Sequence, residues 1–355
     1  MSVIWKLAPV PLDDELLSSF MVRVAHSHGT GAYRFFSYHM SKTPIWNRDI
    51  DLNVSNSTLE QIAVMSGLSF DRVSDMTLRS YALRSLPRQG FLGNETGCAI
   101  APWVNAIGIY HTTRRRFGLQ YCPECLTVER SYKKHWRLSL MAVCSLHQCA
   151  LVDSCPSCNM PVVPHRNHVS HLNCHVCQRS LTKSVSPKLD IVLMAKLLSL
   201  QNLYINARDH AFAIDAEVAE VFTGVHKLLS IFRTLRRHCC DGNVLANVGK
   251  GPIELLRQYD RMKVMIFIQE LLCNWPNSFR EIASETGLNQ RHAEQKYLPP
   301  WIQSEISLLP VGKPKEQKAK RISSVAELRS IQREKPDGWR EKRAELLLKM
   351  ANGKL

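Results

Sequence analysis

The sequence contains no long hydrophobic run. Its most apolar stretch, Met262 to Leu272, is interrupted by Lys263, Gln269 and Glu270, and is too short and too polar for a membrane-spanning helix. Near the N-terminus, Pro9 and then Asp13, Asp14 and Glu15 intervene before any apolar run develops, so neither a signal sequence nor a membrane anchor is expected. A phosphate-cradling loop is also missing. Gly249 and Gly251 flank Lys250 without the required glycine spacing or the Lys-Ser/Thr ending, so ATP hydrolysis is expected of a partner. No group of Asp and Glu marks a Mg²⁺ centre, which argues against nuclease or transposase chemistry.

Negative charge is scarce. Against 46 Lys and Arg stand 31 Asp and Glu, giving a formal net charge of +15. An excess of this size favours association with a polyanion but does not choose among DNA, RNA and a ribonucleoprotein. Basic residues gather at Arg114, Arg115 and Arg116, at Lys133 and Lys134, at Arg233, Arg236 and Arg237, and beyond residue 312. Any one of these clusters taken alone reads as a solvated surface.

Cysteine is plentiful. Of the twelve, seven fall into two sets with His147: Cys122, Cys125, Cys144 and His147, then Cys155, Cys158, Cys174 and Cys177. Each set consists of two short knuckles, the pattern that brings four ligands onto one tetrahedral zinc. With no position left for water, both ions are expected to be structural. Loading both lowers the formal charge to about +12. Disulfides and buried free thiols are the alternatives. Cys98, Cys149, Cys239, Cys240 and Cys273 read as small packing residues, with Cys149 an alternate ligand. Metal-bound thiols without an export signal suit a reducing compartment, the cytoplasm.

Hydrophobic spacing divides the chain into four parts: a helical region over 1–115, a double zinc module over 116–182, a second helical region over 183–310 and a basic tail over 311–355. The fold class expected is mainly α and multidomain. In the second helical region helices are predicted from Leu189 to Leu203, Ala216 to Arg237 and Pro252 to Cys273, the last with proline in its first turn. A further helix is predicted from Gly338 to Met350 in the tail.

An internal echo suggests two helix-turn-helix units. Leu59 to Ser69 and Phe279 to Asn289 share Ile-Ala, three residues, then Gly-Leu and a capping side chain. The small Ala permits a close crossing, Gly the left-handed turn, and Ser or Asn the next N-cap. Capping boxes are predicted at Ser57 with Glu60 and at Ser278 with Glu281. In the first copy, Asp71 and Asp75 would repel phosphate, which suits protein docking. The second offers Asn289, Gln290 and Arg291 to base edges and Lys296 to phosphate. Internal packing alone is the plain reading of both copies.

Taken in order, several of these residues resemble the TniQ/TnsD family of transposition target-selection proteins. They are Gln120 to Leu126, His135-Trp-Arg-Leu138, Val143 to His147, Leu151, Cys155 to Cys158 and Cys174 to Cys177. Pro11 to Ala25 looks like that family's opening helix and Asn274 to Phe279 like its later Trp-Pro element. The resemblance runs from near residue 8 to about residue 300. It implies a non-catalytic adaptor of a Tn7-like or CRISPR-associated transposon, recruiting the element's AAA+ ATPase and through it the transposase. Some members read an attachment site themselves; others ride as a homodimer on a CRISPR effector complex with guide RNA. Length favours the guided type, and the second helix-turn-helix favours direct contact with target DNA. Two other classes remain open. A RING-type ubiquitin ligase shares the ligand order but interleaves its two sets, and a stand-alone DNA-binding regulator would bind its site unaided.

Overall fold

Leu16, Leu17, Phe20, Met21, Val24 and Ala25 are all buried, and their spacing of three to four residues winds Leu17–Ser27 into the first helix, α1. The computed structural model describes residues 5–41, 43–79, 81, 101–110, 113–114, 116–206, 214, 216–235, 251–293 and 298–312. Residues 1–310 form one compact unit. The N-terminal layer continues with α2 (Ala32–His39), α3 (Asn56–Ser66) and α4 (Phe70–Asp75). Its core holds Trp5, Phe20, Phe36, Trp46, Leu59, Ile62 and Val73. Each fully buried side chain of this kind contributes about 1.5–3 kcal/mol of transfer free energy.

Two short hairpins and one helix make the middle of the chain: β1 (Ile109–Tyr110) with β2 (Thr113–Arg114), α5 (Pro123–Glu129), and β3 (Val143–Cys144) with β4 (Cys149–Ala150). Both hairpins are antiparallel, Ile109 facing Arg114 and Val143 facing Ala150. Five further helices follow: α6 (Ile191–Asn206), α7 (Val218–Leu235), α8 (Gln258–Cys273), α9 (Asn277–Thr286) and α10 (Pro300–Ser307). The described structure is thus mainly helical, as expected. One buried cluster runs from Trp103, Tyr132 and Trp136 through Cys122 and Cys144 to Leu197, Phe222 and Met265. The middle of the chain therefore shares a core with α6, α7 and α8. A second small core joins α7, α8, α9 and α10 through Phe232, Phe267, Phe279 and Ile302.

The joints between these parts are polar. Gln201 of α6 accepts from the N–H groups of Ala142 and Val143, both at 3.0 Å, and donates to the Val143 carbonyl at 3.2 Å. Gln258 of α8 donates to the Ala142 carbonyl at 3.0 Å. Asp153 accepts from the Gln258 N–H at 2.8 Å and from both ends of the Arg257 guanidinium, each at 3.0 Å. This last contact moves a helix start. Pro252 is extended, Ile253–Leu255 make one 3₁₀ turn, and α8 begins only at Gln258, not at the proline. Glu254 in that turn is held by the Trp103 N–H at 2.8 Å and by His226 at 2.7 Å.

The predicted turn glycines hold. Gly67 and Gly287 end α3 and α9 with φ of 73° and 65°. Ser69 caps α4 through the Arg72 N–H. Neither predicted capping box forms. Ser55, not Ser57, caps α3 by accepting from the Thr58 N–H, and α9 starts after Pro276 with Ser278 already inside the helix. Nothing lies within 4 Å of a Cβ built on Gly67, so Gly67→Ala is resisted by the backbone alone. Thermal unfolding is expected to show a loss of about 1 kcal/mol.

Candidate metal centres

Cys122 stands at the N-cap of α5 with Pro123 in the first turn, so helix geometry presents Cys125 beside it. Cys144 ends β3 and His147 lies in the turn to β4, where Gln148 takes φ 47°. The two knuckles converge. Cys125 Sγ lies 3.6 Å from Cys144 Sγ and 3.2 Å from His147 Nδ1, and Cys122 Sγ lies 3.4 Å from the same nitrogen. A tetrahedral zinc with bonds of about 2.3 Å to sulfur and about 2.0 Å to nitrogen sets edges of roughly 3.8 and 3.5 Å. The set fits within a few tenths of an ångström.

The second set is built from two matching turns. Cys155 N–H donates to Met160 and Asn159 N–H returns to Cys155; Cys174 N–H donates to Arg179 and Gln178 N–H returns to Cys174. Asn159 and Gln178 both take positive φ, 54° and 60°. Cys155 and Cys177 sulfurs are 3.5 Å apart, as are Cys158 and Cys174. A disulfide would need about 2.05 Å, and all eight thiol and imidazole ligands are free to hold metal. In each set the ligand atoms lie within 4.8 Å of one another. The grouping is sequential, so the interleaved arrangement of a RING is not the one present.

Thiol acidity is uneven in the second set. The Arg179 N–H draws the Cys177 thiol down to about 7, whereas burial pushes Cys174 up to about 12. A bound ion takes the protons from both, so affinity falls with acid. Around the first set, Glu124 Oε2 lies 3.8 Å from His147 Nε2. Cys149 is buried in β4 opposite Cys144, 3.8 Å from Cys122 Sγ, but stands outside the quartet. Cys273 departs from expectation. It is exposed at the end of α8 while Leu271 and Leu272 face the core. Cys98, Cys239 and Cys240 lie outside the described residues.

Sequence reasoning missed the residues that brace these sets. Gln148 and Gln178 reach left-handed backbone without glycine and carry no turn signature, whereas Asn159 is of the non-glycine type that adopts it most readily. Asn167 was equally silent. Its amide donates to the carbonyls of Asn173 and Cys174 and to Gln178, and its oxygen accepts from Val169 and Ser170.

The N-terminal layer is fastened to the stretch between the two knuckles of the first set. Leu16 N–H donates to the Tyr132 carbonyl at 2.9 Å, and Tyr132 N–H to Ser19 Oγ at 2.9 Å. Asp14 pairs with His135. Arg137, fully buried, binds Asp49 at 2.6 Å, Asp51 at 3.2 Å and the Asn105 carbonyl at 2.9 Å. Asp51 in turn accepts from the backbone and hydroxyl of Ser18.

The candidate DNA contacts are dispersed. Arg116 is exposed and follows β2; Arg114 lies in β2. Arg115 and Lys296 lie outside the described residues, as do Arg236, Arg237 and the tail with its predicted helix. Asn289 precedes a single 3₁₀ turn, Gln290–His292, where a longer second helix was expected. The competing partners are tertiary: Gln290 donates its amide to the carbonyls of Ser307 and Leu309 and its N–H to the Pro310 carbonyl. Its side chain is thus committed to α10 rather than offered to bases. Arg291 is exposed. Lys133 pairs with Glu129, and Lys134 donates to the Asp75 carbonyl.

No helix among the described residues is long and apolar enough to cross a membrane. In comparisons with known proteins, the TniQ family model matches residues 6–151. No curated protein matches the chain. The match takes in the N-terminal layer and the whole first quartet; the second quartet and the Trp275-Pro276 element lie beyond it.

Proposed function

We propose, from the premise that this chain belongs to the TniQ family through residues 6–151 and is therefore a transposition-associated protein, that it is a non-catalytic target-selection adaptor. In this reading it links a target-recognition complex, a CRISPR RNA-guided effector, to the AAA+ ATPase and transposase of its element. It would work in the bacterial cytoplasm with structural zinc in both cysteine-rich sets. The supporting observation is the fastening of the N-terminal layer to the first quartet through Asp14 with His135 and Arg137 with Asp49 and Asp51. Such an arrangement holds two surfaces in fixed relation and activates no nucleophile. Several modest contacts acting together then supply recruitment, so losing one partner surface costs disproportionately.

A reconstituted insertion assay tests this. Omitting the chain is expected to remove site-directed products, and the isolated protein is expected neither to turn over ATP nor to nick DNA. Robust ATPase or nicking by the pure protein would end the adaptor reading. In the same assay, Arg291→Ala with Lys296→Ala is expected to reduce insertion more than Asp71→Ala with Asp75→Ala, if the second hairpin region meets DNA. Equal effects would remove that assignment. Pull-down of Cas subunits with guide RNA supports the guided mode; tight binding to an attachment sequence by the chain alone supports the direct reader.

A further inference from the structure

Two histidines outside both quartets face each other across the joint between α1 and the loop that separates the two knuckles of the second set. His26, near the end of α1, has Nε2 3.2 Å from the Asn167 carbonyl. His171, only 8% exposed, has Nε2 2.6 Å from the Arg130 carbonyl. The two Nδ1 atoms are 3.4 Å apart. A carbonyl oxygen only accepts, so each Nε2 must carry the hydrogen. Two neutral imidazoles have two N–H groups in all, and both are spent on carbonyls. What remains is one lone pair on each Nδ1, 3.4 Å apart with no hydrogen left to place between them, and a shared cation would satisfy both.

We propose that His26 and His171 form a third metal site, a two-imidazole site for a borderline divalent ion such as Zn²⁺, completed by water on the half-exposed His26 side. The spacing supports a tetrahedral ion. Two nitrogens at about 2.0–2.1 Å from one zinc stand about 3.3–3.4 Å apart, whereas a linear two-coordinate ion would hold them farther apart. The outer contacts are also those of metal ligands, which donate the distal ring N–H to a fixed acceptor and thereby set tautomer and orientation. Here the acceptors are well fixed, since Asn167 is fully buried and braced through five hydrogen bonds of its side chain.

Protonation does not compete strongly. Burial lowers His171 to about 4, with His26, Arg23 and Arg130 adding to the effect, and burial also lowers His26, with His168 adding. Both imidazoles are therefore in the ligand form at neutral pH. Of the neighbouring cations, Arg23 is neutralised by Glu15 at 2.6 Å. With only two protein ligands the ion should exchange readily, unlike those of the thiolate quartets. It would tie α1 to the second quartet's loop in a zinc-dependent manner.

Metal counting on the full chain tests this. Protein equilibrated with sub-millimolar free Zn²⁺ is expected to hold three ions, falling to two on dialysis against metal-free buffer. His26→Gln and His171→Gln are each expected to hold two throughout; glutamine keeps an N–H for the carbonyl, and either variant suffices. Replacement with Co²⁺ should give a third equivalent absorbing weakly in the visible, without the thiolate charge-transfer band. Two ions in the saturated wild-type chain, or a third that survives both substitutions, would overturn the assignment.

Discussion

Stripping both cysteine-rich sets with a strong chelator is expected to unfold far more than residues 116–182. A structural zinc held by four such ligands contributes on the order of 10 kcal/mol to its module, comparable with the whole stability of a domain. Cys122, Cys125, Cys144, Cys155 and Cys174 are themselves core residues, packed in the cluster that includes Leu197, Phe222 and Met265. Losing the ions removes a wall of that cluster. Helical circular dichroism should therefore fall along with the fluorescence of buried Trp103 and Trp136. The same loss is expected in acid, where protons compete with the ion for the ligand thiolates. Retention of the full helical signal by the metal-free chain at neutral pH would mean that the bundle stands without its metal sets.

Arg137→Ala should be the most damaging single substitution away from the ligands. It leaves Asp51, at 0% exposure, and the largely buried Asp49 without their shared cation. Removing one partner of a buried ion pair typically costs about 3–5 kcal/mol, most of it for the stranded charge. In the variant the Asp51 carboxyl should be raised above its unfolded value. Its folded form then gains relative stability as pH falls, so the penalty is expected to shrink in acid. Urea unfolding of Arg137→Ala, Asp51→Asn and the double variant would show this, the double being less than additive. Equal, additive midpoint shifts at every pH would contradict it.

What the sequence made legible is largely what spacing encodes. Knuckle spacing identified both quartets because two thiols separated by two residues meet one ion in almost any context. Periodic Leu, Ile and Val placed α6 and α7 within a few residues of their ends. What failed depended on tertiary partners. Pro252 looked like a helix start, but Asp153, a hundred residues earlier, captures the Gln258 N–H and sets the start there. Ser57 and Ser278 matched a local capping pattern that Ser55 and Pro276 supersede. Gln290 has the right chemistry for a base edge, but the carbonyls at the end of α10 reach it first. His26 and His171 are 145 residues apart and have no motif to connect them.

The hairpin that carries Cys144 is completed by side chains that come late in the chain. Gln201, which satisfies the Val143 N–H and carbonyl, follows Val143 by 58 residues, and Gln258 follows Ala142 by 116. During synthesis from the N-terminus, the first quartet is whole while that edge of β3 still lacks its amide partners. The ion can thus be captured before the helices dock, and the open edge sets a time window. Until α6 and α8 emerge, the nascent metal site presents bare backbone polar groups, and its protection against pairing with another chain is temporal as much as structural.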